Sequence, residues 1–413
     1  MLVVLVKRFI QILKTSLLYK NLLNNYHFIV ILIIIGGLVY YYRSILLLVV
    51  LLFYIIYLFT KNHFLAYTSI IVFSLFILGL VISEVSYKNA ILGEKWAYIR
   101  VIDKEEVNNG YKFIIKCNNK KYLVYSEENY KIGDILYING VFTTIDSNHV
   151  PGLFNYQEYC KYHKIVGNIQ VNEFKYIKNT FTISKVNNWL REYYNNNFSK
   201  ISSSYLQALV IGNKNYLDDG TLNNINNLGI SHLFVVSGLH VSLLIGIISK
   251  VLRKLTNKGN SMIICILLIY LVITNFLISV IRVVGCYIFK VVNHRYKLNI
   301  SGLDILSIVT ILVLIINPYY LYQSSFILSF GLTYSLIIGS KLIYSSNKVI
   351  GLIKMSGYCQ LISIPLSYNF SNKLNVLSIL FNFFFVPLVS YIILPCSLIV
   401  SFFPFLNNIY ELL

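Results

Sequence analysis

The sequence predicts a polytopic α-helical membrane protein with a small all-β domain inserted between its helices. Three observations predict it. Apolar residue types make up 57% of the 413 residues and charged types 12%, where ordinary globular chains are about one quarter charged; mean hydropathy is +0.67. Many of the apolar residues fall in runs that approach the ~20 residues a bilayer-spanning helix needs. One internal segment, about 84–178, abandons such runs for an alternation of polar and apolar residues, the period of a strand. A soluble fold of this size does not hide so much apolar surface, whereas lipid covers it.

The net charge is +19. Between Glu84 and Thr180, 13 basic residues face 11 carboxylates, and the remaining 22 basic residues face only 5, namely Glu192, Asp218, Asp219, Asp304 and Glu411. The excess therefore sits in the helical parts, mostly in short loops, as the positive-inside rule expects. A polyanionic partner is the other reading of the same charge.

In chain order, residues 1–83 form the first membrane part. Residues 1–25 read as a basic amphipathic segment on the cytoplasmic surface; interrupted by Lys7, Arg8 and Lys14 and lacking a small-residue cleavage site, they do not read as a removable signal. Phe28–Tyr42, Ile45–Thr60 and Phe64–Ile82 follow, the first two short enough for a tight hairpin, with Arg43 outside and Lys61 inside. An odd number of crossings puts residues 84–180 outside. There "KWAYIRVI", "YKFIIKC", "KYLVYS" and "DILYINGVF" alternate and are separated by Asn-Gly and Gly-Asp pairs. Five or so short strands predict a small extracellular barrel, OB-like, with a generic sandwich as the alternative. Residues 181–230, Asn-rich, predict amphipathic surface helices at "KVNNWLREYY" and "SSSYLQALVIG". Residues 231–413 carry apolar spans at 231–249, 261–279, 283–297, 301–317, 323–340, 350–368 and 375–405, the last interrupted by Pro387 and Pro395. The basic groups Lys250/Arg253/Lys254/Lys258, Lys290/Arg295/Lys297 and Lys341/Lys348/Lys354 alternate with these spans and are expected inside.

Polar residues inside apolar spans are the strongest pointer to function, because each costs roughly 2.5–3.5 kcal/mol on insertion scales. Asp304 is the only carboxylate between residues 220 and 410, and Arg282 lies in "ISVIRVVGCYIF". The two predict an ion pair, or else Asp304 belongs to a helix cap in "NISGLDIL". In "LGISHLFVVSGLHVSLLIG", Ser237 and His240 are three apart, hence on one helical face, and His232 aligns with His240 eight residues on. Three readings stay open for them: nucleophile and base, pore-lining donors to phosphate, or interhelical contacts beside a close-packing Gly238. Ser325 and Ser329 are spaced four apart; Asn382 precedes Pro387, and Pro365 precedes Asn369. Together they predict broken helices around a polar path.

Cys265, Cys286, Cys359 and Cys396 fall in apolar spans and read as packing residues. Cys117 and Cys160 fall in the outside segment, where oxidation is permitted, and predict a disulfide, with two free thiols as the alternative. No Cys-x-x-Cys, His-x-Glu or His-x-His cluster is present, so no metal site and no cofactor are expected.

These motifs resemble the ComEC family of competence proteins. "VPGLFNYQEYCKYHKIVGNI" (150–169) is similar to the segment that closes the family's extracellular domain, with Asn155 where Asp is usual. "ALVIGNKNYLDDGTLNNINNLGISHLFVVSGLHVSLLIG" (208–246) resembles its opening competence signature, and the likeness continues through Arg282, "NPYYLYQSSFILSFG", "SIPLSY" and "NFFFVPL". The resemblance implies an extracellular OB-like domain and a plasma-membrane channel for transforming single-stranded DNA, without enzymatic activity of its own. Its implied channel candidates are Gly212, His232, Ser237, Gly238, His240, Arg282, Ser329 and Asn382, to which Asp304 is added. Lys112, Lys116, Lys120 and Lys121 are candidate DNA contacts on the barrel. Many members continue into a metallo-β-lactamase-like domain, for which this sequence leaves no room after Leu413, so nuclease activity is not expected here. No Walker-type loop is present. The implied partners are therefore single-stranded DNA, plasma-membrane lipid, a DNA receptor, a cytoplasmic helicase or ATPase and a separate nuclease, with homo-oligomerisation left open. A membrane-embedded hydrolase using Ser237 and His240, or a solute transporter, are the competing functions.

Overall fold

The computed structural model describes residues 22–107, 110–146, 154–256, 259–371 and 378–411; most of the expected N-terminal amphipathic segment, Lys258 and the Pro-Gly of the 150–169 motif lie outside them. Helices α1 (Tyr26–Tyr42), α2 (Ile45–Lys61) and α3 (His63–Lys88) come first. Strands β1 (Gly93–Val107), β2 (Gly110–Cys117), β3 (Lys120–Ser126) and β4 (Asp134–Thr143) follow, then a short helix α4 (Tyr156–Tyr162) and β5 (Ile165–Asn179). The remainder is helical: α5 (Ser184–Asn197), α6 (Lys200–Leu206), α7 (Asp219–Asn227), α8 (Gly238–Leu255), α9 (Gly259–Ile273), α10 (Ile278–Tyr296), α11 (Gly302–Ile316), α12 (Ser324–Ile338), α13 (Ser340–Ile343), α14 (Lys348–Ser371), α15 (Ser378–Leu388), α16 (Leu394–Phe402) and α17 (Asn407–Tyr410). Among the described residues, four helical stretches, His63–Lys88, Ser231–Lys250, Val349–Leu366 and Leu380–Phe402, are long and apolar enough to cross a membrane, and five shorter helices are apolar. The chain divides into two units, one of Met1–Ile82, Leu252–Ile264 and Ile281–Ser367, the other of Ser83–Val251, Cys265–Val280 and Tyr368–Leu413.

In the first unit, α1 and α2 form the expected tight hairpin. Arg43 adopts a left-handed conformation (φ 49°) and its amide closes α1 onto the Val39 carbonyl. Gly36 and Gly37 let α1 pack closely: a Cβ on Gly36 would lie 2.1 Å from the Phe73 ring, and one on Gly37 2.1 Å from Leu321. Tyr322 donates to the Gly37 carbonyl at 3.0 Å across the same approach. On α2, Ile45, Leu46 and Phe53 all point outward, a surface that calls for apolar surroundings.

In the second unit the strands close into a barrel of order β1-β2-β3-β5-β4. The β3–β5 pair is parallel and the others antiparallel. Strict alternation along β4, whose every second residue is buried, turns Leu136, Ile138 and Phe142 inward to meet Ile99, Val101, Phe113, Ile115 and Tyr122. Asn118 and Asn119 make the β2–β3 turn with positive φ at both positions (43° and 67°), the turn chemistry that matches strand twist.

The expected Cys117–Cys160 disulfide is not formed; both thiols are free and buried. Cys117 points into the barrel with Tyr122 and Val124, whereas Cys160 on α4 packs with Leu123, Ile145 and Ile165 on the other side of the sheet. Successive strand residues face opposite ways, so the sheet stands between the two sulfurs, and a disulfide needs Cβ atoms within about 4 Å.

The expected surface helix at "SSSYLQALVIG" is instead buried. Ser202, Ser203 and Leu206 on α6 and Gln207 to Ile211 in the π turn that extends it are nearly all inaccessible, packed in part against Val389 and Val400. Small hydroxyl residues allow this approach, and Gln207 and Ser203 both bind the Asn195 amide oxygen, at 2.8 and 2.7 Å. The Pro-interrupted last span is continuous: α15 passes through a π turn, Val389–Ile393, into α16. That wider turn lies between the two prolines, which withhold helix amide donors.

The thiol arrangement gives a direct check. Denatured without reductant, the chain is expected to take up a maleimide–polyethylene glycol label at both Cys117 and Cys160, with no further labelling after reduction. A reductant-dependent gain of two labels would show a disulfide.

Candidate functional site

In the second unit the π turn ends at Gly212, whose φ of +87° suits glycine and whose missing Cβ would meet Leu277 at 2.4 Å. The turn borders a polar cavity of about 480 Å³ lined by Asp103, Arg191, Asn213, Asn215 and Asn275 among others. Arg191 on α5 pairs with Asp103 at the far end of β1 (3.4 Å), and Asn215 donates to Glu105 at 2.6 Å, so the barrel and the loop after Gly212 hold one wall together. Asn187 donates to the Ile273 carbonyl at 2.7 Å, fixing the opposite side. Of these residues sequence reasoning singled out Gly212 alone; the Asn-rich "GNKNY" was the available signal.

His232 lies in a separate 3-10 turn, Ser231–Leu233, so it does not share a helix with His240. Helix α8 begins at Gly238, and Ser237 and His240 bracket that start reciprocally. The Ser237 hydroxyl accepts from the His240 amide, and the His240 Nδ1 accepts from the Ser237 amide, both at 3.4 Å. Such an exchange satisfies the free amides of a first turn. The hydroxyl faces a backbone amide rather than the imidazole, which is not the arrangement of a nucleophile with its base. The Gly238 carbonyl accepts from Ser242 at 2.8 Å.

In the first unit the expected Arg282–Asp304 pair is not formed. Asp304 is fully buried at the third position of α11, where its amide donates to Ser301, its carboxylate accepts from the Ser301 hydroxyl at 3.1 Å, and His27 Nδ1 stands 3.3 Å away. The cap reading of "NISGLDIL" is the one realised. Arg282 on α10 donates to the Thr333 hydroxyl, which in turn donates to the Ser329 carbonyl at 2.8 Å. A neutral hydroxyl leaves the guanidinium charge unneutralised by any carboxylate among the described residues.

Four of the polar candidates share one property. Arg282 Nε, the Ser329 hydroxyl, His240 Nε2 and Asn382 Oδ1 are each buried with no hydrogen-bond partner among the described residues. Buried polar groups are ordinarily satisfied, and leaving one bare costs about 1–3 kcal/mol. These atoms therefore call for water or a polar ligand.

On the barrel the four lysines separate. Lys112 is paired with Glu105 at 3.7 Å, and the Lys120 ammonium binds the Asn89 carbonyl. Lys121 stands directly opposite Lys116 across the β2–β3 ladder. Burial above all holds the Lys121 ammonium below the usual lysine range; Asp103 opposes the shift and Lys116 adds to it. Sequence reasoning missed Trp96, Tyr98 and Arg100, which the same period-two pattern turns outward together with Lys116.

Residues 209–413 match the family described as Competence protein. ComE operon protein 3 of Bacillus subtilis (strain 168) is 26% identical over 304 residues, covering 71% of this chain and 38% of that protein. Uncharacterized protein MG316 of Mycoplasma genitalium is 29% identical over 55% of this chain and 59% of its own length, and its Mycoplasma pneumoniae homolog is 25% identical over 54% and 59%. The chain thus spans less than two thirds of each of these curated relatives. No solved structure matches it.

Two substitutions test this geometry. Gly212→Ala is expected to lower the thermal midpoint clearly, since both the positive φ and the Leu277 approach oppose a side chain. Lys121→Gln is expected to stabilise the protein by up to about 1 kcal/mol, because like charges directly opposite on a sheet repel. With its pKa depressed in the fold, Lys121 imposes that penalty below the folded value and loses it as pH rises toward the ordinary lysine range. The advantage of Lys121→Gln in thermal melts should therefore shrink in alkaline buffer.

Proposed function

We propose, for a chain whose residues 209–413 match the Competence protein family, that it conducts single-stranded transforming DNA across the plasma membrane of a competent bacterium. The observation that carries this reading is the buried, carboxylate-free Arg282 of the first unit, whose Nε is bare beside the equally bare Ser329 hydroxyl on α12; His240 and Asn382 of the second unit each carry a buried, partnerless polar atom as well. A strand bearing a phosphate at every nucleotide needs donors and water along its route and few fixed carboxylates. Past residue 220 the sequence has only Asp304 and Glu411. Asp304 is answered by His27 and Ser301, and Glu411 accepts from the Ser199 hydroxyl. Arg282, bonded to a hydroxyl rather than a carboxylate, keeps its charge available to an anion.

In this reading the apolar helices cross the membrane with the N-terminus in the cytoplasm, and the barrel lies outside. Its five-stranded closed order and strand lengths support an OB-like assignment, a fold that binds oligonucleotides. The chain acts as a conduit without catalysis of its own, driven by a cytoplasmic helicase or ATPase and supplied by a DNA receptor and a nuclease acting separately.

The test is entry of labelled DNA into a strain lacking the chromosomal gene and complemented with variants. Arg282→Leu, Ser329→Ala, His240→Ala and Asn382→Ala are expected to reduce entry by graded amounts, with surface binding kept and Ser237→Ala close to the parent. Unchanged entry in all four overturns the proposal. Complete loss with Ser237→Ala, joined to labelling by a serine-directed probe, would instead identify a hydrolase.

A further inference from the structure

We infer that the outward face of β1, β4 and β5 is a stacking platform for single-stranded nucleic acid, on which Trp96, Tyr98 and Tyr137 receive bases and a transverse row of cations receives phosphates. This rests on the DNA-uptake reading for its ligand, but the residues are not among those the sequence singled out except Lys116 and Lys121. Trp96 and Tyr98 are 50% and 63% exposed although both are large and apolar. Trp96 stacks on Tyr137 with centroids 5.0 Å apart and planes 22° apart, and Tyr98 lies 4.7 Å from the same ring. Three aromatic rings thus cluster on one face, Trp96 stacked on Tyr137 and Tyr98 tilted 40° to it, and Trp96 and Tyr98 are exposed.

The ladder places the cations beside them. Arg100 is opposite Lys116 on β2 and opposite Ile135 on β4; Ile135 is opposite Lys178 on β5, and Lys116 opposite Lys121 on β3. Residues directly opposite in antiparallel strands face the same way, so Lys121, Lys116, Arg100 and Lys178 form one row across the sheet. Lys175, opposite Tyr137, adds a fifth cation one step along. None of the five makes an ion pair among the described residues. A groove of about 260 Å³ lies between Tyr98, Arg100, Lys116 and the Asn118–Asn119 turn. Glu94 and Glu173 sit at the Trp96 end, where Glu94 accepts from Asn139 at 3.2 Å; the carboxylates beyond the cation row, Asp103 and Glu105, are already paired with Arg191 at 3.4 Å and Lys112 at 3.7 Å. The face therefore has a phosphate-attracting end and an aromatic end. Rings and cations so interleaved describe sequence-tolerant binding of a single strand, by stacking and backbone attraction together.

The chain has two tryptophans, so Trp189→Phe leaves Trp96 as the only one. The full-length protein in lipid nanodiscs is titrated with oligothymidylate. Binding is expected to quench Trp96 fluorescence. Trp96→Ala or Tyr137→Ala should each weaken affinity roughly tenfold, and Trp96→Phe should retain most of it, which separates stacking from any loss of fold. Arg100→Gln with Lys116→Gln should lower the slope of log affinity against log salt by about 1.4, roughly 0.7 for each phosphate no longer neutralised. Parent affinity in Trp96→Ala overturns the platform. So does quenching of Trp96 by brominated lipid with none by the oligonucleotide, which would make this face a membrane contact. A parent chain that binds oligothymidylate through Trp96 yet supports no DNA entry retains the platform and fails the conduit; normal entry with parent affinity in Trp96→Ala does the reverse.

Discussion

A polar atom surrounded by apolar side chains has to be given a partner by the protein, by water or by something that passes, and the helical parts of this chain are organised by how that demand is met. At Asp304 it is met internally. Ser301 and His27 supply the donors, and the carboxylate becomes part of how α11 begins. At Arg282 it is met halfway. Thr333 takes one of the guanidinium donors while Nε stays bare. The difference between a polar residue used up by the fold and one left open to a ligand is therefore a count of unmet valences, and a list of polar residues within apolar spans does not supply that count.

Much of the architecture was readable because it depends on period. The α1–α2 hairpin, the strand segment and the alternation of β4 follow from spacing along the chain, and all three appear where the pattern places them. What the pattern left open was pairing across the chain. Arg282 and Asp304 are the obvious opposite charges, yet each has a nearer neighbour of a kind that spacing does not reveal. Ser237 and His240 are indeed adjacent, but the helix starts between them, and a three-residue spacing at a helix start means mutual capping rather than a shared face. The buried α6 misled for a different reason. The segment reads as amphipathic, yet its serines are small enough to be buried, with Ser203 bonded to Asn195 and Ser204 to the Ile201 carbonyl.

The barrel illustrates the same limit in a sheet. Counting lysines pointed to four positions on β2 and β3, and one of them is already occupied by Glu105. The residues with unoccupied surfaces came from reading which face each alternation turns outward, then following the register from strand to strand. The departure at Asn155 also becomes intelligible. It caps α4 by accepting from the Glu158 amide at 3.2 Å, and an amide oxygen serves that purpose as well as a carboxylate.

The link between Arg191 and Asp103, reinforced by Asn215 on Glu105, joins the end of β1 to α5 and to the loop that follows Gly212. The barrel is therefore tethered rather than free to swing on its connecting segments. Any load applied to the barrel would be transmitted through a few hydrogen bonds to Gly212, a backbone position whose positive φ and close approach to Leu277 oppose a side chain. Because an ion pair is part of that coupling, its stiffness should soften as ionic strength rises, making the mechanical response of the barrel a function of the medium around it.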